Sequence, residues 1–74
     1  MKKVRVGSIV KLTSYDTEYF GSCRALADLD GVDLTTHLEV TEVVVEEEFT
    51  FVYFHNDAPN LSGSSLDRFE VVTY

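Results

Sequence analysis

Between Ala25 and Asp67 the chain has no lysine and no arginine. Ten acids fill that stretch, namely Asp28, Asp30, Asp33, Glu39, Glu42, Glu46, Glu47, Glu48, Asp57 and Asp67, which gives it a formal charge of −10. The first 24 residues run the other way, with Lys2, Lys3, Arg5, Lys11 and Arg24 against Asp16 and Glu18. A surface with such a field repels phosphate backbones and attracts basic protein surfaces. Cysteine is also scarce. Cys23 stands alone, so no intrachain disulfide can form, which points to a reducing cytoplasm or to indifference to redox state. No apolar run approaches the roughly 20 residues of a membrane span. Met1-Lys2-Lys3 opens like a signal peptide, but Val4-Arg5-Val6-Gly7-Ser8 alternates and carries charge where an apolar region would have to follow. The expectation is a cytoplasmic protein with no membrane partner. Asn60-Leu61-Ser62 matches the glycosylation acceptor pattern, and without a secretory signal it reads as chance.

The chemistry of catalysis is missing too. There is no nucleophile and base at a recognisable spacing and no glycine-rich phosphate loop, and 74 residues enclose little pocket. Cys23 as a nucleophile would need a base and an orienting group; beside Ala25 and Leu26 it reads as a small buried thiol. Cys23, His37 and His55 lack the short ligand spacing of a zinc site. Asp28-Leu29-Asp30-Gly31-Val32-Asp33 places its glycine too early for a calcium loop, and a solvated turn ending a helix explains it better. Paired carboxylates do acid–base work only in a pocket that separates their pKa values, whereas Glu46, Glu47 and Glu48 fall on an expected hairpin turn. We expect no enzyme, no metal and no cofactor.

What the chain does have is valine and aromatic side chains. Hydrophobic residues make up 45%, with five Phe and four Tyr, a composition suited to pleated, half-buried strands. A domain this short buries only about 60% of its unfolded surface, so its core must be dense. Val4, Val6, Val10 and Leu12 alternate with Lys3, Arg5 and Lys11, which predicts a first strand over residues 3–13, bent at Gly7-Ser8. Residues 14–36 admit two readings. Ser22 can cap a short helix with Cys23, Leu26, Ala27 and Leu29 on its apolar side and Gly31 at its end, or the segment is a long hairpin-like loop. Leu38 to Glu46 is a strand whose alternation slips near Thr41-Glu42, as a β-bulge would make it. Phe49 to His55 is the densest strand, with Phe49, Phe51 and Tyr53 on one face and Thr50, Val52 and Phe54 on the other. Both faces are apolar, so the strand is either sandwiched or shows an aromatic side to a partner. Asn56 to Asn60 breaks it, and Ser62-Gly63-Ser64-Ser65 reads as a mobile loop. Ser64 and Asp67 have capping-box-like spacing for one helical turn before a last strand at residues 69–73. The expected core is Val6, Val10, Leu12, Leu26, Leu38, Val40, Val43, Phe51 and Phe69, with Phe20 and Phe54 also packed inside.

Strand, long loop, bent strand, hairpin, strand, loop, one turn, strand: this order resembles the Src-homology-three-like small barrel. The residues carrying the likeness are Val6-Gly7-Ser8-Ile9-Val10-Lys11-Leu12 and Leu66-Asp67-Arg68-Phe69-Glu70-Val71-Val72. With the alternation in residues 3–13, 38–46, 49–55 and 69–73 and the turns between them, the expectation is an all-β fold of one domain over residues 1–74, a small, five-stranded or near five-stranded, strongly bent antiparallel barrel with less than a fifth helix. Short bacteriophage proteins include such modules, and this chain looks like one of them. Peptide-binding members of that group hold proline helices with a Trp, which this chain does not have.

The functional expectation is a small acidic module that binds a host protein with a basic surface and modulates it. Glu39, Glu42, Glu46, Glu47, Glu48 and Asp57 would supply long-range attraction, and Tyr15, Tyr19 or Tyr53 buried contact area. Mimicry of a nucleic-acid backbone by these carboxylates is a special case. The alternative is a structural or self-associating module that pairs strand edges or the apolar faces of residues 49–54, a homo-oligomer. Nucleic-acid binding through Lys2, Lys3, Arg5, Lys11 and Arg24 ranks third, because the surrounding field opposes it.

Overall fold

Gly7 decides where the first strand begins. Its φ of 94° lies in the left-handed region that glycine tolerates, and the chain turns there, with Ser8 N–H donating to Arg5 C=O at 2.9 Å. The computed structural model describes residues 3–74. In it the first strand, β1, spans only Ile9–Leu12, not 3–13. Ahead of the turn the alternation loses its phase, so Val6, expected in the core, is 64% exposed.

The remaining elements are β2 (Asp16–Thr17), β3 (Gly21–Ser22), helix α1 (Arg24–Asp30), β4 (Leu38–Glu39), β5 (Glu42–Val45), β6 (Thr50–Tyr53), β7 (Ser64–Ser65), a 3-10 turn (Leu66–Arg68) and β8 (Phe69–Thr73). They build three small antiparallel sheets, in the orders β4-β1-β8, β2-β3 and β5-β6-β7. Among the described residues no ladder closes them into a single ring. The slip near Thr41-Glu42 is not a bulge but a change of sheet. Val40 N–H donates to Ser8 C=O at 2.9 Å, on the β1 side, and the next residue, Thr41, donates to Tyr53 C=O at 2.8 Å, on the β6 side. Two neighbouring residues thus serve two sheets, which explains why the apolar face changes hands between them. The register does shift elsewhere, between Ile9 and Val10 against β8.

Of the two readings of residues 14–36, the structure takes the helix. Ser22 does not cap it: Cys23 is the N-cap residue and makes no side-chain cap bond, while Ser22 Oγ accepts from Arg24 N–H at 3.2 Å. Gly31 ends the helix at φ 67°, as a left-handed C-terminal glycine does. Cys23 and Ala27 face inward, whereas Leu26 is 40% and Leu29 71% exposed, because two turns of helix present only a narrow stripe to the core.

That core is Val10, Leu12, Cys23, Ala27, Val32, Leu38, Val40, Val52, Phe54, Ala58, Leu61 and Phe69, with the Phe54 and Phe69 rings 5.1 Å apart. On β6 the buried face is the one holding Val52 and Phe54, so Phe51 is only half-buried. Val43 is likewise only partly buried, and Phe20 is exposed. The segment read as mobile contains a strand: Ser64 and Ser65 are buried and pair with Val52 and Phe51. Ser65, not Ser64, precedes the 3-10 turn, and its hydroxyl donates to Asp67 Oδ1.

Candidate functional site

Short polar side chains shape the β2-β3 hairpin. Ser14 Oγ accepts from Asp16 N–H at 3.1 Å and Thr17 Oγ1 from Phe20 N–H at 3.0 Å, bonds typical of turns that stand away from the core. Arg68, from the 3-10 turn, anchors the far side by donating from Nη2 to Gly21 C=O at 3.0 Å. The tip, Glu18-Tyr19-Phe20, is thereby set against the start of β6. The Tyr19 ring meets Phe49 edge-on with centroids 5.3 Å apart, and Phe20 meets Phe49 at 5.1 Å and Phe51 at 5.8 Å, also edge-on. Such geometry is favourable beyond its area burial. Yet the cluster is open, with Tyr19 68% and Phe20 46% exposed.

Strand parity explains the cluster. Burial of Val52 and Phe54 turns Phe49 and Phe51 to the opposite face, and the hairpin covers that face only in part. The acidic turn follows directly. Glu46 N–H donates to Phe49 C=O at 2.8 Å, closing a turn in which Glu46, Glu47 and Glu48 are all exposed. None of the three forms an ion pair among the described residues. Glu48 and Phe49 also line an open depression of about 320 Å³ with Asp67 and Leu66.

The other expected contact residues lie apart. Glu42 Oε1 is 3.3 Å from His55 Nε2, and Tyr53 stacks on the His55 ring at 5.5 Å. Asp57 Oδ2 accepts from the Glu39 N–H at 3.0 Å. The strand rise sets Glu42 roughly 13 Å from Glu46, so these acids make a second group. Tyr15 is half-buried against the core with the Arg24 guanidinium 4.9 Å from its ring centre. The structure therefore packs Tyr19 on Phe49, the residue that follows Glu46, Glu47 and Glu48, and adds Phe20 and Phe51 to the cluster. The doubly apolar pattern of residues 49–54 signalled the two strand phenylalanines; nothing local signalled Phe20.

The basic residues do not gather into one stripe. Lys11 pairs with Glu70 at 3.5 Å across β1 and β8, Arg5 Nε donates to the Tyr74 C=O at 3.0 Å, and Arg24 lies over Tyr15. Lys2 is outside the described residues. Asp30, the last residue of α1, binds the Asn60 amide at 2.8 Å and the Leu61 N–H at 3.0 Å. Asp33 Oδ1 accepts from the Thr35 hydroxyl and N–H and from the Thr36 hydroxyl. Those bonds, the Thr35 hydroxyl first, hold its carboxyl below the ordinary aspartate range. Among the described residues no three His, Cys, Asp or Glu side chains converge as metal ligands, and no helix is long and apolar enough to cross a membrane. No protein-family model, curated protein or solved structure matches this chain.

Proposed function

We propose that the chain is a non-catalytic protein-binding module that engages a basic surface on its partner through the open aromatic cluster and the adjoining acidic turn. The observation carrying this reading is the conjunction of Tyr19, Phe20, Phe49 and Phe51, packed on one another yet open to solvent, with three unpaired glutamates immediately before Phe49. Aromatic rings held rigid lose little entropy on binding and supply most of an interface's energy. The glutamates act at longer range and raise the encounter rate. The exchange of sheets at Val40–Thr41 supports a strongly bent, Src-homology-three-like small barrel, since a strand that bridges two sheets folds them over one core. With that fold goes the reading of a phage-type modulator acting in a host cytoplasm.

The test is affinity capture from a bacterial lysate at low and high salt with three baits. They are the wild type, the Tyr19→Ser/Phe49→Ser double variant, and the Glu46→Gln/Glu47→Gln/Glu48→Gln triple variant. A partner held by the wild type, lost by the first variant and captured more slowly by the second fits the proposal. One captured equally by all three removes this surface from consideration.

Self-association is the second reading, and one observation favours it. An apolar groove of about 310 Å³ runs between β5 and β8, lined by Val43, Val45, Leu66 and Val71, with Val45 76% exposed. Sedimentation at rising concentration distinguishes the two, because only self-association gives a mass that grows with concentration.

A further inference from the structure

Arg68 is a buried cation with no counter-ion among the described residues. Only 5% of the residue is exposed, and the ion pairs among the described residues are Lys11–Glu70 and Glu42–His55, neither of which includes it. Its side-chain hydrogen bonds both leave from Nη2, to Gly21 C=O at 3.0 Å and to Thr17 Oγ1 at 3.5 Å, and both acceptors are neutral. Nε is buried without any partner. A charge withdrawn from water in this way is costly unless an opposite charge meets it. In a chain with 13 acids and six bases, a buried arginine left without a carboxylate is the reverse of what composition alone would produce.

The guanidinium does not face a closed interior. Arg68 lines an open cavity of about 210 Å³ together with Phe20, Phe51, Leu26, Ser22 and Gly63. One wall is apolar and shared with the aromatic cluster. The other is hydroxyl and backbone, from Ser22 and Gly63. We propose that this cavity is a binding site for a carboxylate carried on a short apolar group, with Arg68 as the anion anchor. A guanidinium donates strong charge-assisted N–H bonds to a carboxylate, and with both Nη2 hydrogens engaged by Gly21 and Thr17, Nη1 is the group that would meet the acid. The volume is below that of a drug-sized pocket, which limits the ligand to a small acid or the end of a chain. A carboxylate is favoured over a phosphate because the surrounding negative field penalises a dianion more than a monoanion. The site does not depend on the protein-binding proposal, since a free acid fills it as well as a peptide's terminal or side-chain carboxylate does.

The experiment is an amide and arginine Nε–H nuclear magnetic resonance titration of the full chain at constant ionic strength. The probes are N-acetylleucine, its uncharged amide, propionate and inorganic phosphate, each taken into the tens of millimolar. Saturable shifts at Arg68, Ser22 and Gly63 with the acids but not the amide are expected. Tighter binding of N-acetylleucine than of propionate indicates a chain-borne carboxylate; equal binding indicates a small free acid. Arg68→Gln should weaken binding about tenfold or more, and Ser22→Ala, on an exposed residue, keeps the fold if the first variant does not. No saturable shift with either acid overturns the proposal, as do equal shifts with the amide or tighter binding of phosphate.

Discussion

Phe51 on β6 and Phe54 just past its end lie three residues apart, and their contrast shows what burial is worth here. Phe54 is fully buried against Phe69, while Phe51 belongs to the open cluster. Phe54→Ala should therefore cost about 3–5 kcal/mol, enough to unfold most domains this small. Phe51→Ala should cost clearly less, because a half-exposed ring leaves no sealed cavity. Chemical denaturation of both variants checks the ordering, and a larger loss for Phe51→Ala would mean the two faces are assigned the wrong way round. Asp33 supplies a second residue-scale expectation. Its carboxyl is held below the ordinary value of about 3.9 by the Thr35 and Thr36 bonds. With the folded value lower than the unfolded one, its small contribution is present above the unfolded value and fades as pH falls through the folded one. Carbon-13 titration of the Asp33 carboxyl should show the low midpoint, and Thr35→Ala should raise it.

At the scale of elements, the two-turn helix α1 is too short to hold itself together and depends on its C-terminal end. Gly31 sits at φ 67° with open space where a Cβ would stand, so Gly31→Ala incurs backbone strain alone, about 1–2 kcal/mol. Asp30 ties the end of the helix to the loop at Asn60 and Leu61, 30 or more residues on. Replacing it with alanine removes charge-assisted bonds worth about 1.5–3 kcal/mol. Thermal unfolding of the two variants should show Asp30→Ala lower or equal in midpoint, and hydrogen exchange should show faster opening of the 58–62 segment only for Asp30→Ala. The β2-β3 hairpin is held in a comparable way, by Arg68 at Gly21. A two-residue strand pair gains little from its own ladder, so its position against β6 follows from that tether and from the rings of Tyr19 and Phe20.

For the whole molecule the decisive quantity is charge. Replacing Glu46, Glu47 and Glu48 by Gln removes three carboxylates and takes the net charge from −7 to −4. Solvated, unpaired carboxylates on a turn contribute little to stability, so the fold should persist with an unchanged or slightly higher melting temperature. Association with a basic partner should slow and its salt dependence flatten, while dissociation changes less, as charges at the rim act mainly on encounter. Stopped-flow rates at two salt concentrations measure this. Rates unaltered by the substitution would exclude the acidic turn and leave the aromatic cluster to carry recognition.

Sequence by itself determined the β-rich class, the breaks at Glu46–Glu48 and Asn56–Asn60, the turn before the last strand and the sign of the electrostatic field. All of these follow from charge counting, alternation and local backbone chemistry, which act over a few residues. Tertiary structure alone decided which face of residues 49–55 is buried, because two apolar faces give the same periodic signal until Phe69 packs on one and the hairpin on the other. It also decided that Phe20 joins Phe49 across 29 positions of sequence and that Ser64 and Ser65 form a strand. Arg68 is the clearest case: only the fold withdraws its charge from water, and no pattern of neighbours along the chain marks that burial.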